Sequence, residues 1–178
     1  LFMQIMHGGR TSHPDLIDGA DPEAPSSFDW GGTVRGFSGK MDAPVPRELK
    51  KEELPRIVEE FRQGVRRAID AGVDGVEIHN ANGYLLHEFM APSANQRDDE
   101  FGGSPENRWR LPEMVIRAVV DEIGADRVGV RFSPAHVVQG IAEDDEADML
   151  ATYGGLLDAL APLNLAYVSL LHGEPESE

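Results

Sequence analysis

Four short runs of apolar and β-branched residues punctuate the chain: Leu1 to Met6, Gly72 to His79, Arg127 to Phe132 and Leu165 to Leu171. Helical stripes lie between the last three and before the second. From Leu54 to Ile69 the apolar positions are Leu54, Ile57, Val58, Phe61, Val65, Ala68 and Ile69, and spacings of three and four predict one amphipathic helix. Pro55 falls in its first turn and Gly72 stops it. A second helix is expected to start with Ser104 as N-cap and Pro105 at the first helical position. It would bury Trp109, Met114, Val115, Ala118 and Val119, with a kink or shifted start at Pro112. A third is expected from about Glu146 to Leu160, on a stripe of Met149, Leu150, Tyr153, Leu156, Leu157 and Leu160. Strands that read as continuous apolar runs are those covered on both faces. Their alternation with helices predicts right-handed parallel crossover units. Residues 8–46 and 91–103 are long, irregular and rich in polar and turn-forming types. Such loops, leaving the carboxyl ends of strands, are expected to shape a mouth.

Doubly wound sheets and barrels both satisfy this order. No G-x-G-x-x-G follows a strand, and Gly102-Gly103-Ser104 lacks the G-K-[ST] of a phosphate loop. The 178 residues, 40% hydrophobic and 27% charged, suffice for one globular domain. No apolar run approaches the roughly 20 residues of a membrane span, so no membrane partner is expected. The absence of cysteine excludes disulfides and a thiol nucleophile, and fits a reducing, cytoplasmic setting. A net charge of −16 argues against nucleic acid, which needs a basic surface. His87-Glu88 and Asp144-Asp145-Glu146 lack the spacing of a ligand set, so no metal is expected. Both ends read as cut through a pattern, and residues 1–178 are expected to be an internal piece of a longer domain.

The segment Gly75 to Tyr84 carries the chemistry. An apolar run ends abruptly in His79, Asn82, Gly83 and Tyr84. In parallel barrels the carboxyl ends of strands hold the active site. His and Asn can both donate to one oxygen, and a phenol can give up a proton. That set suits a substrate carbonyl on which negative charge develops. Each residue also has a plainer reading: His79 as a structural histidine, Asn82-Gly83 as a turn, Tyr84 as a core aromatic. Arg131 could pair with a barrel carboxylate, and Gln4 could be a strand amide bonded to backbone. His7 and Arg10 could line the mouth or form surface ion pairs. His13, His87 and His136 read as exposed or structural.

The blocks His79-Asn-Ala-Asn-Gly-Tyr-Leu-Leu86, Phe89 to Asn95, Arg97 to Ser104 and Glu106-Asn-Arg108 resemble the Old Yellow Enzyme family of flavin-dependent ene-reductases. Gln4-Ile-Met-His-Gly-Gly-Arg10 and Val128-Gly-Val-Arg-Phe-Ser-Pro134 are similar to its other strand-end motifs. The resemblance implies an eight-stranded (β/α)8 TIM barrel, here only a partial FMN-binding barrel of about its third to sixth strands, truncated at both ends. It implies FMN as cofactor and NADPH or NADH as reductant. The implied partner is a small electron-poor alkene, an α,β-unsaturated carbonyl or nitro compound, reduced in a ping-pong cycle. His79 and Asn82 would hold its oxygen, Tyr84 would protonate the α carbon, and Gln4 and Arg131 would meet the flavin. Met6 departs from an aromatic frequent in the family, and His172 is displaced from the family's strand-end position. The alternatives are a dienoyl-CoA reductase or amine dehydrogenase relative, whose iron–sulfur cysteines are absent here, and a non-catalytic remnant. The missing phosphate-site strands predict that the isolated piece binds no FMN.

Overall fold

The computed structural model describes residues 1–171. In chain order it holds β1 (Phe2–Ile5), β2 (Glu23–Ala24), β3 (Thr33–Gly36), β4 (Gly39–Asp42), β5 (Arg47–Glu48), α1 (Leu54–Asp70) and β6 (Gly75–Asn80). Then follow α2 (Leu85–Met90), α3 (Pro105–Arg108), α4 (Arg110–Ile123), β7 (Val128–Phe132), α5 (Glu146–Leu160) and β8 (Tyr167–Leu170). The four expected strands form one parallel sheet in the order β1-β6-β7-β8, with a helix crossing over between each neighbouring pair. The sheet is an open arc, not a closed barrel, among the described residues, with β1 and β8 as its edges.

Alternation along the strands sorts the side chains. Val76, Ile78, Val128, Val130 and Phe132 are fully buried in one core with Leu54, Ile57, Phe61, Val65, Val115, Ile116, Val119 and Leu156 of the helices. The register sets Gln4 beside Glu77, His79 beside Arg131, and Arg131 beside Ser169, so the opposite face carries a polar row. Below that row the Phe2 and Tyr167 rings lie 5.5 Å apart. Each covers a glycine: a Cβ on Gly75 would sit 2.6 Å from the Phe2 ring, and one on Gly129 2.3 Å from the Tyr167 ring.

The second expected helix is two. Ser104 Oγ accepts from Asn107 N as predicted, but α3 ends after one turn and α4 restarts at Arg110. Pro112 thereby falls in the first turn of α4, where its missing N–H costs nothing. In α5 the stripe runs through Met149, Tyr153, Leu156 and Leu160. Leu150, expected inside, is 60% exposed because it sits one residue off that line.

Residues 8–46 also correct the expectation of an irregular loop. β2 pairs with β5, and β3 with β4 forms a hairpin closed at Gly36 and Gly39, the latter with φ of 104°. Only Val34 of the hairpin is buried, so no apolar alternation announces it. Residues 91–103 hold no strand or helix, yet buried polar side chains fix them. Asn95 Nδ2 donates to the carbonyls of Phe89 and Phe101, and Arg97 to those of Pro25 and Leu49. No helix among the described residues is long and apolar enough to cross a membrane. His172 lies outside the described residues.

Candidate active site

The end of β6 is reversed by two consecutive residues in the left-handed region, Asn82 at φ 57° and Gly83 at φ 77°. Asn and Gly tolerate that geometry best. A side chain at Gly83 would be 2.9 Å from Gln139 Cβ and 3.2 Å from the Val138 carbonyl, so the loop after β7 presses directly on the turn. The reversal brings the rings of His79 and Tyr84 to 5.2 Å between centroids, and the register places Arg131 beside His79. His79, Asn82, Tyr84 and Arg131 are thus gathered at one strand end. Gln4 sits a step lower, where its Nε2 donates to Glu77 Oε1 at 2.6 Å rather than to backbone.

His79 is buried, and neither ring nitrogen has a partner. Burial, aided by the charge of Arg131, pushes its pKa below the ordinary value, so the ring is neutral near pH 7. Arg131 Nε is likewise buried and unpartnered, and no carboxylate pairs with this guanidinium among the described residues. Buried polar atoms without partners are rare in folded proteins and call for an explanation. Here they are the Arg131 Nε–H donor and the one donor and one acceptor of a neutral His79, on the concave face of one sheet. An electron-rich ring edge or a polarised oxygen is what such donors fit. The β3–β4 hairpin approaches from above, where Thr33, Val34 and Arg35 join Thr11, Tyr84 and Gln139 around a cavity of about 350 Å³.

The turn is clamped from behind. Ser133 Oγ accepts from Asn82 N at 2.8 Å, and His87 Nδ1 accepts from Gly83 N at 3.0 Å. With Nδ1 accepting, the ring's N–H is at Nε2, which lies 3.1 Å from the Tyr153 hydroxyl. Tyr153 donates in turn to Glu143, whose Oε2 also accepts from Ala135 N at 3.0 Å. Burial alone would raise the Glu143 carboxyl, but His87, whose Nε2 lies 3.5 Å from Oε1, together with Ala135 N and Tyr153, holds it below the ordinary value. Burial and the adjacent carboxylate push Tyr153 far up, so it stays a phenol. His87 is therefore structural and fully buried, not exposed.

Arg10 neither lines a mouth nor meets the acidic surface. It is fully buried, stacks on Phe28 and Trp30 at 5.6 and 5.1 Å, and donates from Nη2 to the Gln139 carbonyl. Its backbone N donates to Glu88 Oε1 at 2.9 Å, and burial pushes the Glu88 carboxyl up to about 8. His7, two residues past the end of β1, lies 3.8 Å from Glu23 in a cavity of about 410 Å³ with Met6, Pro22 and Arg56. Burial depresses its pKa. That cavity lies beyond the carboxyl end of β1 and includes none of His79, Asn82, Tyr84 and Arg131.

Sequence reasoning did not find Ser133, Glu143, Tyr153 or Glu88 as supports. Tyr153 fits a helical stripe, and Glu143 heads an acidic run; neither pattern reveals a hydrogen bond. The Phe-Ser-Pro after Arg131 was the available signal for Ser133.

Residues 1–174 match the NADH:flavin oxidoreductase / NADH oxidase family. The chain belongs to this family. It is 51% identical to the putative 12-oxophytodienoate reductase-like protein 2A of Arabidopsis thaliana over 75% of this chain and 48% of that protein. It is 38% identical to aldehyde reductase FrzD of Cladobotryum sp over 100% of this chain and 46% of that protein. Among solved structures, the Old Yellow Enzyme homologue of Zymomonas mobilis superimposes with a TM-score of 0.90 at 36% identity, covering 97% of this chain and 47% of that one. Morphinone reductase in complex with tetrahydroNAD gives 0.83 at 37%, covering 95% and 48%. The chain thus spans about half the length of these relatives, and its sheet is part of their TIM barrel. FMN is the cofactor of this NADH:flavin oxidoreductase family, and the residues present fit it. The unpartnered Arg131 Nε and His79 nitrogens stand on the face where a flavin's acceptor-rich edge would need donors.

Proposed function

We propose that the whole protein reduces the activated C=C bond of α,β-unsaturated carbonyls or nitro compounds with NADPH or NADH, in two half-reactions at one site. The observation that carries this reading is the buried, neutral, unpartnered imidazole of His79 within 5.2 Å of the Tyr84 ring. Bound FMN would supply the hydride chemistry, taking it from the nicotinamide and passing it to the β carbon. His79 and Asn82 donate to the substrate oxygen as negative charge builds there, in a setting where burial strengthens each donor. A neutral imidazole can donate this bond without adding a charge that must be desolvated. Tyr84 delivers its phenolic proton to the α carbon. Arg131 offers a permanent positive charge beside His79. Gln4, whose amide nitrogen is held by Glu77, would have its amide oxygen free to help hold the flavin.

The test is the visible spectrum of the full-length protein under anaerobic conditions. Flavin bands should bleach on adding NADPH and return on adding cyclohexenone, and Tyr84→Phe should slow only the return. A flavin that bleaches but is not reoxidised by any enone or nitroalkene would remove the alkene substrate and leave the oxidoreductase.

A further inference from the structure

Asn82 can serve a substrate oxygen only with Nδ2 turned toward it, since Oδ1 in that place would repel the same charge. The two orientations differ by a half-turn of the amide, and the Asn82-Gly83 turn itself does not choose between them. The loop after β7 does. Ser133 Oγ holds the Asn82 backbone N at 2.8 Å, and half-buried His136 sets Nδ1 3.3 Å from Asn82 Oδ1. An oxygen in that position needs an N–H opposite. The neutral ring in its Nδ1–H form supplies one, and so does the imidazolium. The loop is itself anchored: Glu143 accepts from Ala135 N and from the Tyr153 hydroxyl, and Tyr153 meets His87, whose Nδ1 accepts from Gly83 N of the turn. His79, whose two nitrogens are unpartnered at the end of the same strand, marks where an acceptor oxygen is wanted.

We propose that His136 is a positioning residue for alkene reduction: by donating from Nδ1 to Asn82 Oδ1 it fixes the Asn82 amide with Nδ2 facing the substrate oxygen. The inference rests on the role of Asn82 proposed above. His136 acts through Asn82 and is assigned no contact with substrate or flavin. Its effect belongs to the oxidative half-reaction, in which the substrate oxygen is bound, and shows as weaker enone binding as well as slower reduction.

The experiment is a double-mutant cycle in the full-length, FMN-loaded protein, with reoxidation of reduced enzyme by cyclohexenone followed in a stopped-flow instrument. His136→Phe should weaken this step about five- to tenfold, the scale of one hydrogen bond. His136→Gln, which retains an N–H donor, should recover most of it. In the Asn82→Ala background the His136→Phe change should have no further effect. Melting temperature and the flavin spectrum of each variant report folding separately. If Asn82→Ala is impaired but His136→Phe is not, or the two effects add, the positioning role is overturned while the site stands. If His136→Phe impairs reduction and Gln does not restore it, a packing role replaces the hydrogen bond and the proposal also falls. If Asn82→Ala itself reduces enone normally, the reading of the site has failed.

Discussion

The two faces of the central sheet obey opposite rules. Toward the helices, Val76, Ile78, Val128, Val130 and Phe132 are fully buried and carry no side-chain polar atom. Toward the concave side, the four strands present Gln4, Glu77, His79, Arg131 and Ser169, with buried nitrogens of His79 and Arg131 left unpaired. A change of one residue in register would exchange them. Stability is concentrated on one face. The other keeps groups that cost stability until something binds them, which is the usual sign of a binding surface.

The sharpest way to break this contrast is Tyr84→Phe. In the FMN-loaded full-length protein it should slow reoxidation by enone about 100-fold or more, the low end of general acid catalysis, with flavin reduction by NADPH unchanged. An unchanged rate would move the proton donor elsewhere. On the apolar face, Ile78→Ala should cost about 2–5 kcal/mol in denaturant unfolding, as a fully buried side chain is lost and its cavity remains. The flavin spectrum of the protein that still folds should not change.

Behind the polar face, Glu88 gives a pH signature. Its carboxyl is raised from 4.5 to about 8 in the fold, so the folded state holds this proton more tightly than the unfolded chain does. The resulting stability is complete below pH 4.5 and is lost as pH rises toward about 8. Glu88→Gln should therefore flatten the melting temperature against pH across that window and raise it at the alkaline end. Equal slopes for the two proteins would mean that Glu88 is ionised at neutral pH. Arg131→Met should do something unusual for a site residue: without FMN it should melt a few degrees higher, because an unpaired buried donor is removed. With FMN present the order should reverse. Smallest of all, Leu150→Glu, on the exposed side of α5, should stay within about 0.5 kcal/mol of the parent.

How much of this was legible follows from where the information sits. The four strands and α1 came from periodicity, because one buried face imposes a spacing on the sequence. The gathering of His79, Asn82 and Tyr84 was legible because all three lie within one strand end and its turn. Arg131 joined them through a register that only strand pairing defines. The β3–β4 hairpin was not legible: it has one buried residue, so no alternation exists to be read. Nor was the Glu143–Tyr153–His87 relay, whose members are spread over 66 residues from His87 to Tyr153 and each pass for something else alone. Arg10 was misread because an arginine in an acidic chain suggests an ion pair, whereas here it stacks between Phe28 and Trp30 beside a carboxyl held largely neutral.

The Phe2 and Tyr167 rings are seated over Gly75 and Gly129. On this part of the sheet they lie beneath the polar row and line the amino-end side of the concave face, which is therefore apolar below and polar at the strand ends.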